Sequence, residues 1–286
     1  MANLKEIRNR ITSVSSTMQI TSAMKMVSAA KLKKAQDAIT AMRPYSDKLT
    51  ELLQSLSATL DSDSGNAYSI QREVNKVLIV AITSNRGLAG AFNSNIIKEV
   101  NTLANQKYAN QEVSYLVVGK KANDAFKKTN RIVANKSEVL DDLTFENVAE
   151  IAQTLMDKFA AGEFDKIEIV YNRFKNAATQ IVTTEQFLPI VPIESTENIN
   201  LDYVFEPSKV EIVETLIPKS LKTQLYKAIR DSFASEHGAR MTAMHKATDN
   251  ATELRDQLKL TYNKARQAAI TNEILEIVGG AEALNN

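Results

Sequence analysis

The chain has 286 residues, 44% of them hydrophobic, and a formal net charge of +1. That allows a sizeable core and excludes a globally charged, nucleic-acid-coating protein. It has no cysteine, which excludes disulfides, thiolate metal sites and cysteine nucleophiles.

The first predicted element is a helix over about residues 3–60. Asn3 with Glu6 three positions on is a capping-box-like start. Neither proline nor glycine interrupts the chain before Pro44, which is expected to kink the helix or mark a joint. Residues 1–43 carry eight Lys/Arg against Glu6 and Asp37, a net of +6. Such a helix suits an acidic partner, a nucleic acid or a membrane surface, or is simply a solvated face. One seam holds Ile7, Val14, Thr21, Ser28, Ala35 and Met42 at intervals of seven. A second holds Ile11, Met18, Lys25, Leu32 and Ile39. A seven-residue repeat predicts a left-handed coiled coil. Met24, Met26 and Val27 lie off the seam and are expected to face something other than the partner helix.

Asp61-Ser-Asp-Ser-Gly-Asn66 is a polar break. From about 74 to 200 strands and helices alternate. Strands are predicted at 77–82, 115–118, 167–171 and 181–187, and helices near 92–107, 120–129 and 146–161. This pattern predicts a Rossmann-like α/β unit. Pro189 and Pro192 end the last strand.

The last predicted element is a helix from about 208 to the C-terminus, opened by a capping box of Ser208 and Glu211. From Lys219 to Val278 it has no proline and only Gly238, so it reaches roughly 90 Å. Gly279-Gly280 is the expected stop. Ala239, Ala243, Ala247 and Ala251, continued by Leu254 and Leu258, form a small-residue stripe for close helix approach. An antiparallel pair of the two terminal helices is the simplest arrangement, and a parallel homodimer competes with it. Further on, Ala268, Ala269, Ile270, Ile274, Leu275, Ile277 and Val278 occupy nearly every side of the helix. A helix apolar all round is normally buried, so a sleeve from other chains is expected here.

Chemistry is sparse. Thr83-Ser-Asn-Arg-Gly-Leu-Ala-Gly-Ala-Phe-Asn93 follows a strand and enters a helix, where a phosphate loop would sit. It lacks both glycine fingerprints of nucleotide loops and reads better as a tight strand-to-helix turn. His237 and His245 lie eight residues apart on one helix without a metal-ligand pattern. Asp141-Asp142 reads as a solvated turn. No catalytic site, cofactor site or metal site is predicted.

Four stretches nonetheless carry a resemblance. They are Leu4-Lys-Glu-Ile-Arg-Asn-Arg-Ile-Thr-Ser-Val14 with Ile20-Thr-Ser-Ala-Met-Lys-Met-Val-Ser28, the loop 83–93, the run 234–251, and Tyr262-Asn-Lys-Ala-Arg-Gln-Ala-Ala-Ile-Thr-Asn-Glu-Ile-Leu-Glu-Ile-Val-Gly-Gly-Ala281. In this order they resemble the gamma-subunit family of F-type ATP synthases over essentially the whole chain. The resemblance implies a long antiparallel coiled coil of the terminal helices (1–60 and 208–286) and a central α/β foot domain (74–200). It implies a central-stalk rotor subunit without an active site, coupling proton flow through the membrane c-ring to ATP synthesis or hydrolysis. The implied partners are a ring of alpha and beta subunits, the epsilon subunit and the c-ring, with no nucleic acid and no membrane insertion.

By position, the resemblance implies that Arg266, Gln267, Thr271 and Glu273 contact a beta-subunit loop. Met24, Ile270, Ile274, Leu275, Ile277 and Val278 become shaft or bearing residues. Lys31, Lys33 and Lys34 meet an acidic lever of the beta subunit, and Tyr203, Phe205 and Glu206 meet the c-ring. The absent cysteines exclude the thiol regulation of chloroplast members. The start Met-Ala-Asn-Leu-Lys-Glu lacks transit-peptide and signal-peptide character, so a bacterial protein at the cytoplasmic face of the plasma membrane is expected. Two other readings remain at this point: a nucleotide-dependent enzyme on the α/β segment, and a basic coiled-coil nucleic-acid binder.

Overall fold

The computed structural model describes residues 4–57, 67–129, 131–190 and 209–284. Its elements are α1 (Leu4–Ser57), β1 (Lys76–Ile82), α2 (Phe92–Thr102), β2 (Glu112–Val118), α3 (Lys120–Phe126), β3 (Ile132–Asn135), α4 (Phe145–Ala160), β4 (Lys166–Phe174), β5 (Gln180–Leu188) and α5 (Lys209–Leu284). A π-helical turn, Leu103–Lys107, extends α2. Pro44 and Pro218 lie inside α1 and α5, and both helices continue through them. Asn3 and Ser208, the expected caps, lie outside the described residues.

The strands form one sheet in the order β3-β2-β1-β4-β5. The first three contacts in that order are parallel, and β5 closes the edge antiparallel to β4. Strand β1 is Lys-Val-Leu-Ile-Val-Ala-Ile, with every residue after Lys76 buried. A central parallel strand is covered on both faces, so it needs apolar residues without alternation. Leu78, Val80 and Ile82 pack on one side with Ile151, Leu155 and Phe159 of α4 and Leu221, Leu225 and Ile229 of α5. Val77, Ile79 and Ala81 pack on the other with Ile96 and Val100 of α2 and Ala122 and Phe126 of α3. The result is a three-layer α/β/α arrangement.

The chain first winds outward from β1 through β2 to β3, then returns to place β4 on the other side of β1. Helices α2 and α3 therefore lie on one face, and α4 on the opposite one. Helix α4 carries buried Val148, Ile151, Ala152, Leu155, Met156 and Phe159 on one stripe, and Thr144 caps it by accepting from the Asn147 amide at 3.3 Å. The four-residue strand β3 was not legible as a strand. Its sequence, Ile-Val-Ala-Asn, is only four residues long and too short to show a strand period.

The chain divides into two compact units, Ala29–Arg240 and Met1–Ser28 with Met241–Asn286. In the second unit the two terminal helices pair antiparallel. Thr21 of α1 accepts a hydrogen bond from Thr248 of α5 at 2.8 Å, and Arg255 reaches the Met18 sulfur at 3.4 Å. Moving down α1 thus means moving up α5. The heptad holds: Ile7, Thr21 and Ser28 are buried, and Ile11, Val14, Met18 and Lys25 are half-buried. The polar seam residues are satisfied locally. Thr21 donates to the Met18 carbonyl at 3.1 Å, and Ser28 to the Met24 carbonyl at 2.8 Å.

The partner seam on α5 only partly follows the expected alanine stripe, of which Ala243, Ala247 and Leu258 are half-buried and Ala251 is buried. It runs through Met244, Thr248, Ala251, Arg255, Leu258 and Tyr262, all buried or half-buried, while Leu254 is exposed. A spacing of four drifts around a helix, whereas alternating steps of four and three stay on the contact line. Ala239 belongs to the other unit and packs with Ala89 and Phe92.

Candidate functional site

In an open α/β sheet the ligand site is the crevice at the strand-order reversal, outside the carboxyl ends of the strands. Here that place lies between β1 and β4. The loop after β1 begins with buried Thr83 and Ser84. Ser84 is tied to Asn93, whose side-chain oxygen accepts from its amide at 3.0 Å. Gly119 passes so close that a Cβ there would stand 2.4 Å from the Thr83 carbonyl oxygen, at φ +107°. Only glycine fits that position.

The crevice is filled by α5. Arg240 donates from Nη2 to the Arg86 carbonyl at 3.0 Å and from Nε to the Gly87 carbonyl at 3.3 Å. Glu236, one turn earlier, braces the guanidinium at 2.7 Å. Ser235 donates to the Asn172 carbonyl on β4 at 2.9 Å. Asn172 in turn donates to the Phe92 carbonyl at 3.2 Å. The isolated Gly238 is explained by the same approach: a Cβ there would lie 3.2 Å from the Ala177 backbone. Loop carbonyls are acceptors and a guanidinium saturates them, whereas a phosphate needs amide donors.

Electrostatics follow from the burial. Burial pushes the Glu236 carboxyl above its ordinary value, and the adjacent Arg240 partly offsets it. Burial first, then Arg240 and Lys31, lower the His237 imidazole to about 4, so it is neutral near pH 7. None of this network was predicted. The only sequence signals for it were the Glu236/Arg240 spacing of four and Gly238, the one glycine of the helix before Gly279.

The expected contact residues lie elsewhere. Arg266, Gln267, Ile270, Thr271, Glu273, Ile274, Leu275, Ile277 and Val278 are all exposed on the last turns of α5. Leu275 is 62% and Ile277 66% exposed. At about 100° per residue, Arg266, Ile270, Glu273 and Ile277 share one stripe, and Gln267, Thr271, Ile274 and Val278 the next. The remaining side carries Leu275 with Ala268, Ala269, Asn272, Glu276 and Gly279. Apolar residues therefore recur on most sides of the helix end, interleaved with the polar ones, and the isoleucines and Val278 fall on the first two stripes.

Met24 is half-buried, while Ile20, Met26 and Val27 of α1 are exposed. Lys31, Lys33 and Lys34 are exposed as well. Tyr203, Phe205 and Glu206 lie outside the described residues. Among the described residues no helix is long and apolar enough to cross a membrane.

The family model for ATP synthase matches residues 3–284. An ATP synthase gamma chain of Flavobacterium psychrophilum is 76% identical over 285 residues, which is 99% of each chain. The chain belongs to the ATP synthase gamma-chain family. A second gamma chain, from Flavobacterium johnsoniae, is 74% identical over the full length of both chains. The one from Cytophaga hutchinsonii is 53% identical, also over the full length of both. Among solved structures, the central stalk/c-ring structure of Tetrahymena thermophila mitochondrial ATP synthase matches at 26% identity with a TM-score of 0.60, over 80% of this chain and 99% of that one. The rotor of the Euglena gracilis mitochondrial enzyme matches in fold at 22% identity and a TM-score of 0.66, over 93% and 98% of the two chains. The gamma-family resemblance and the fold class read from the sequence both hold, and the chain is a subunit of an enzyme complex.

Proposed function

We propose that this gamma-family chain is the rotor of an F-type ATP synthase and carries no active site of its own. It turns with a membrane c-ring and, inside a ring of alpha and beta subunits, imposes unequal nucleotide affinities on the beta sites. Residues 1–60 and 208–286 serve as the shaft, and 74–200 as the foot that meets the epsilon subunit and the c-ring. The complex would hold the chain peripherally at the cytoplasmic face of a bacterial plasma membrane.

The observation that carries this reading is the end of α5. Exposed branched apolar residues over several turns need a cover, and none comes from the described part of this chain. Apolar contact is non-directional, so a sleeve around Ile270–Val278 permits sliding. Arg266, Gln267, Thr271 and Glu273 add directional bonds that favour particular rotary positions. Met24 and Lys31, Lys33 and Lys34 are assigned to the bearing and to an acidic lever, and Tyr203, Phe205 and Glu206 to the c-ring contact. The crevice filled by Arg240 supports the absence of a nucleotide site.

Affinity purification of the tagged chain from detergent-solubilised membranes tests the reading. Alpha, beta, epsilon and c subunits should co-purify with ATPase activity. A chain that purifies alone and binds ATP tightly would overturn it.

A further inference from the structure

Within the unit Ala29–Arg240, α5 donates side-chain hydrogen bonds to main-chain carbonyls of four separate segments. Gln224 donates to the Gln186 carbonyl on β5 at 3.3 Å, and Arg230 to the Leu143 carbonyl before α4 at 2.7 Å. Ser235 donates to the Asn172 carbonyl on β4 at 2.9 Å, and Arg240 to the Arg86 carbonyl after β1 at 3.0 Å. At about 100° per residue, Gln224 and Ser235 point to one side of the helix, Arg240 nearly opposite them, and Arg230 to a third side. Each arginine is braced by a residue one turn earlier. The Tyr226 hydroxyl accepts from Arg230 Nε at 2.9 Å, and the Glu236 carboxylate from Arg240 at 2.7 Å.

Interdigitated apolar packing of Leu225 and Ile229 holds α5 against the sheet, but its contacts carry no donor–acceptor direction of their own. Charge-assisted bonds to fixed carbonyls are directional and resist rotation of the helix about its own axis. We infer that Arg230 and Arg240 are torque keys, which lock α5 against turning within the α/β domain so that twist carried by the helix is delivered to the domain as a whole. This rests on the rotor reading above.

The test uses the assembled enzyme, immobilised through its alpha/beta ring. The chain has no native cysteine, so Asn101→Cys, at an exposed position of α2, places a rotation probe on it. In wild type the probe turns on ATP addition. If it does not, the rotor reading itself fails and the key proposal is not what has been refuted. In Arg230→Gln/Arg240→Gln, ATP hydrolysis per assembled complex stays near wild type. The angular variance of the probe rises about twofold, because two of the strongest polar anchors are gone, and protons pumped per ATP fall. Arg230→Lys/Arg240→Lys keeps the charge and restores part of the stiffness. Should the glutamine pair fail to assemble, the single variants Arg230→Gln and Arg240→Gln are measured under the same criterion. Wild-type angular variance and pumping ratio in an assembled variant would overturn the proposal.

Discussion

Helix α5 is one unbroken helix with two opposite surfaces. Between Ile217 and Arg240 it is part of a core: Leu225 and Ile229 are fully buried, and polar donors are matched to fixed carbonyls. Between Arg266 and Ala281 every residue is exposed. The hydrophobicity of the two stretches is not what separates them, since both are rich in branched side chains. The difference is whether this chain supplies the opposite wall. Folding information sits in the first stretch, and the surface left for partners sits in the last.

The largest effect on stability should come from the first stretch. Leu225→Ala removes a fully buried side chain between α5 and the sheet and should cost about 2–5 kcal/mol in urea unfolding. A loss under about 0.5 kcal/mol would mean that α5 is only loosely docked.

The second largest is a pH effect at His237. Its folded value of about 4 lies below the ordinary 6.5, so the unfolded chain takes up the proton first. Stability is therefore complete above about pH 6.5 and is lost as pH falls towards 4, by up to about 3 kcal/mol. The Glu236 carboxyl, pushed upward by burial, works the other way, because the folded chain binds that proton more readily. The comparison of wild type with His237→Phe isolates the histidine. The variant's stability should be flatter between pH 6.5 and 4, and equal slopes would contradict the buried neutral imidazole.

In the coiled coil the expected effect is smaller. Thr248→Val removes the donor to Thr21 at 2.8 Å and should lower stability by about 1 kcal/mol. If Thr21→Val/Thr248→Val recovers the loss, the pair contributes orientation rather than stability.

The smallest effect on folding, and the sharpest contrast, belongs to the helix end. Ile274→Ser/Ile277→Ser should leave the melt of the isolated chain within about 0.5 kcal/mol of wild type. Assembly with the alpha/beta ring should fall about tenfold or more, as expected for an apolar anchor. Equal losses in both assays would place these residues in the chain's own fold.

How much the sequence revealed follows the same division. Strand β1 was legible because a strand buried on both faces must be apolar at every position. The α1 seam was legible because seven-residue spacing survives the soft positions Thr21, Lys25 and Ser28. On α5 the alanines at spacing four marked only part of the seam, because the contact line also passes through Thr248 and Arg255, residues that composition marks as surface. Strand β3 was hidden by its length of only four residues. The Arg240 plug was hidden because its acceptors are main-chain carbonyls, which leave no trace in side-chain identity. The Arg266–Val278 surface was legible as apolar excess, because large branched residues recur there round most of the helix.

The most direct test of the contrast is amide hydrogen exchange on the chain alone and in the assembled ATP synthase. Residues 217–240 should exchange slowly in both states. Residues 266–281 should exchange quickly alone and slow by about a hundredfold or more on assembly, since an unsupported helix end frays and a covered one does not. An end that exchanges equally fast in both states, or that is already protected alone, would contradict the claim that it is built for other chains.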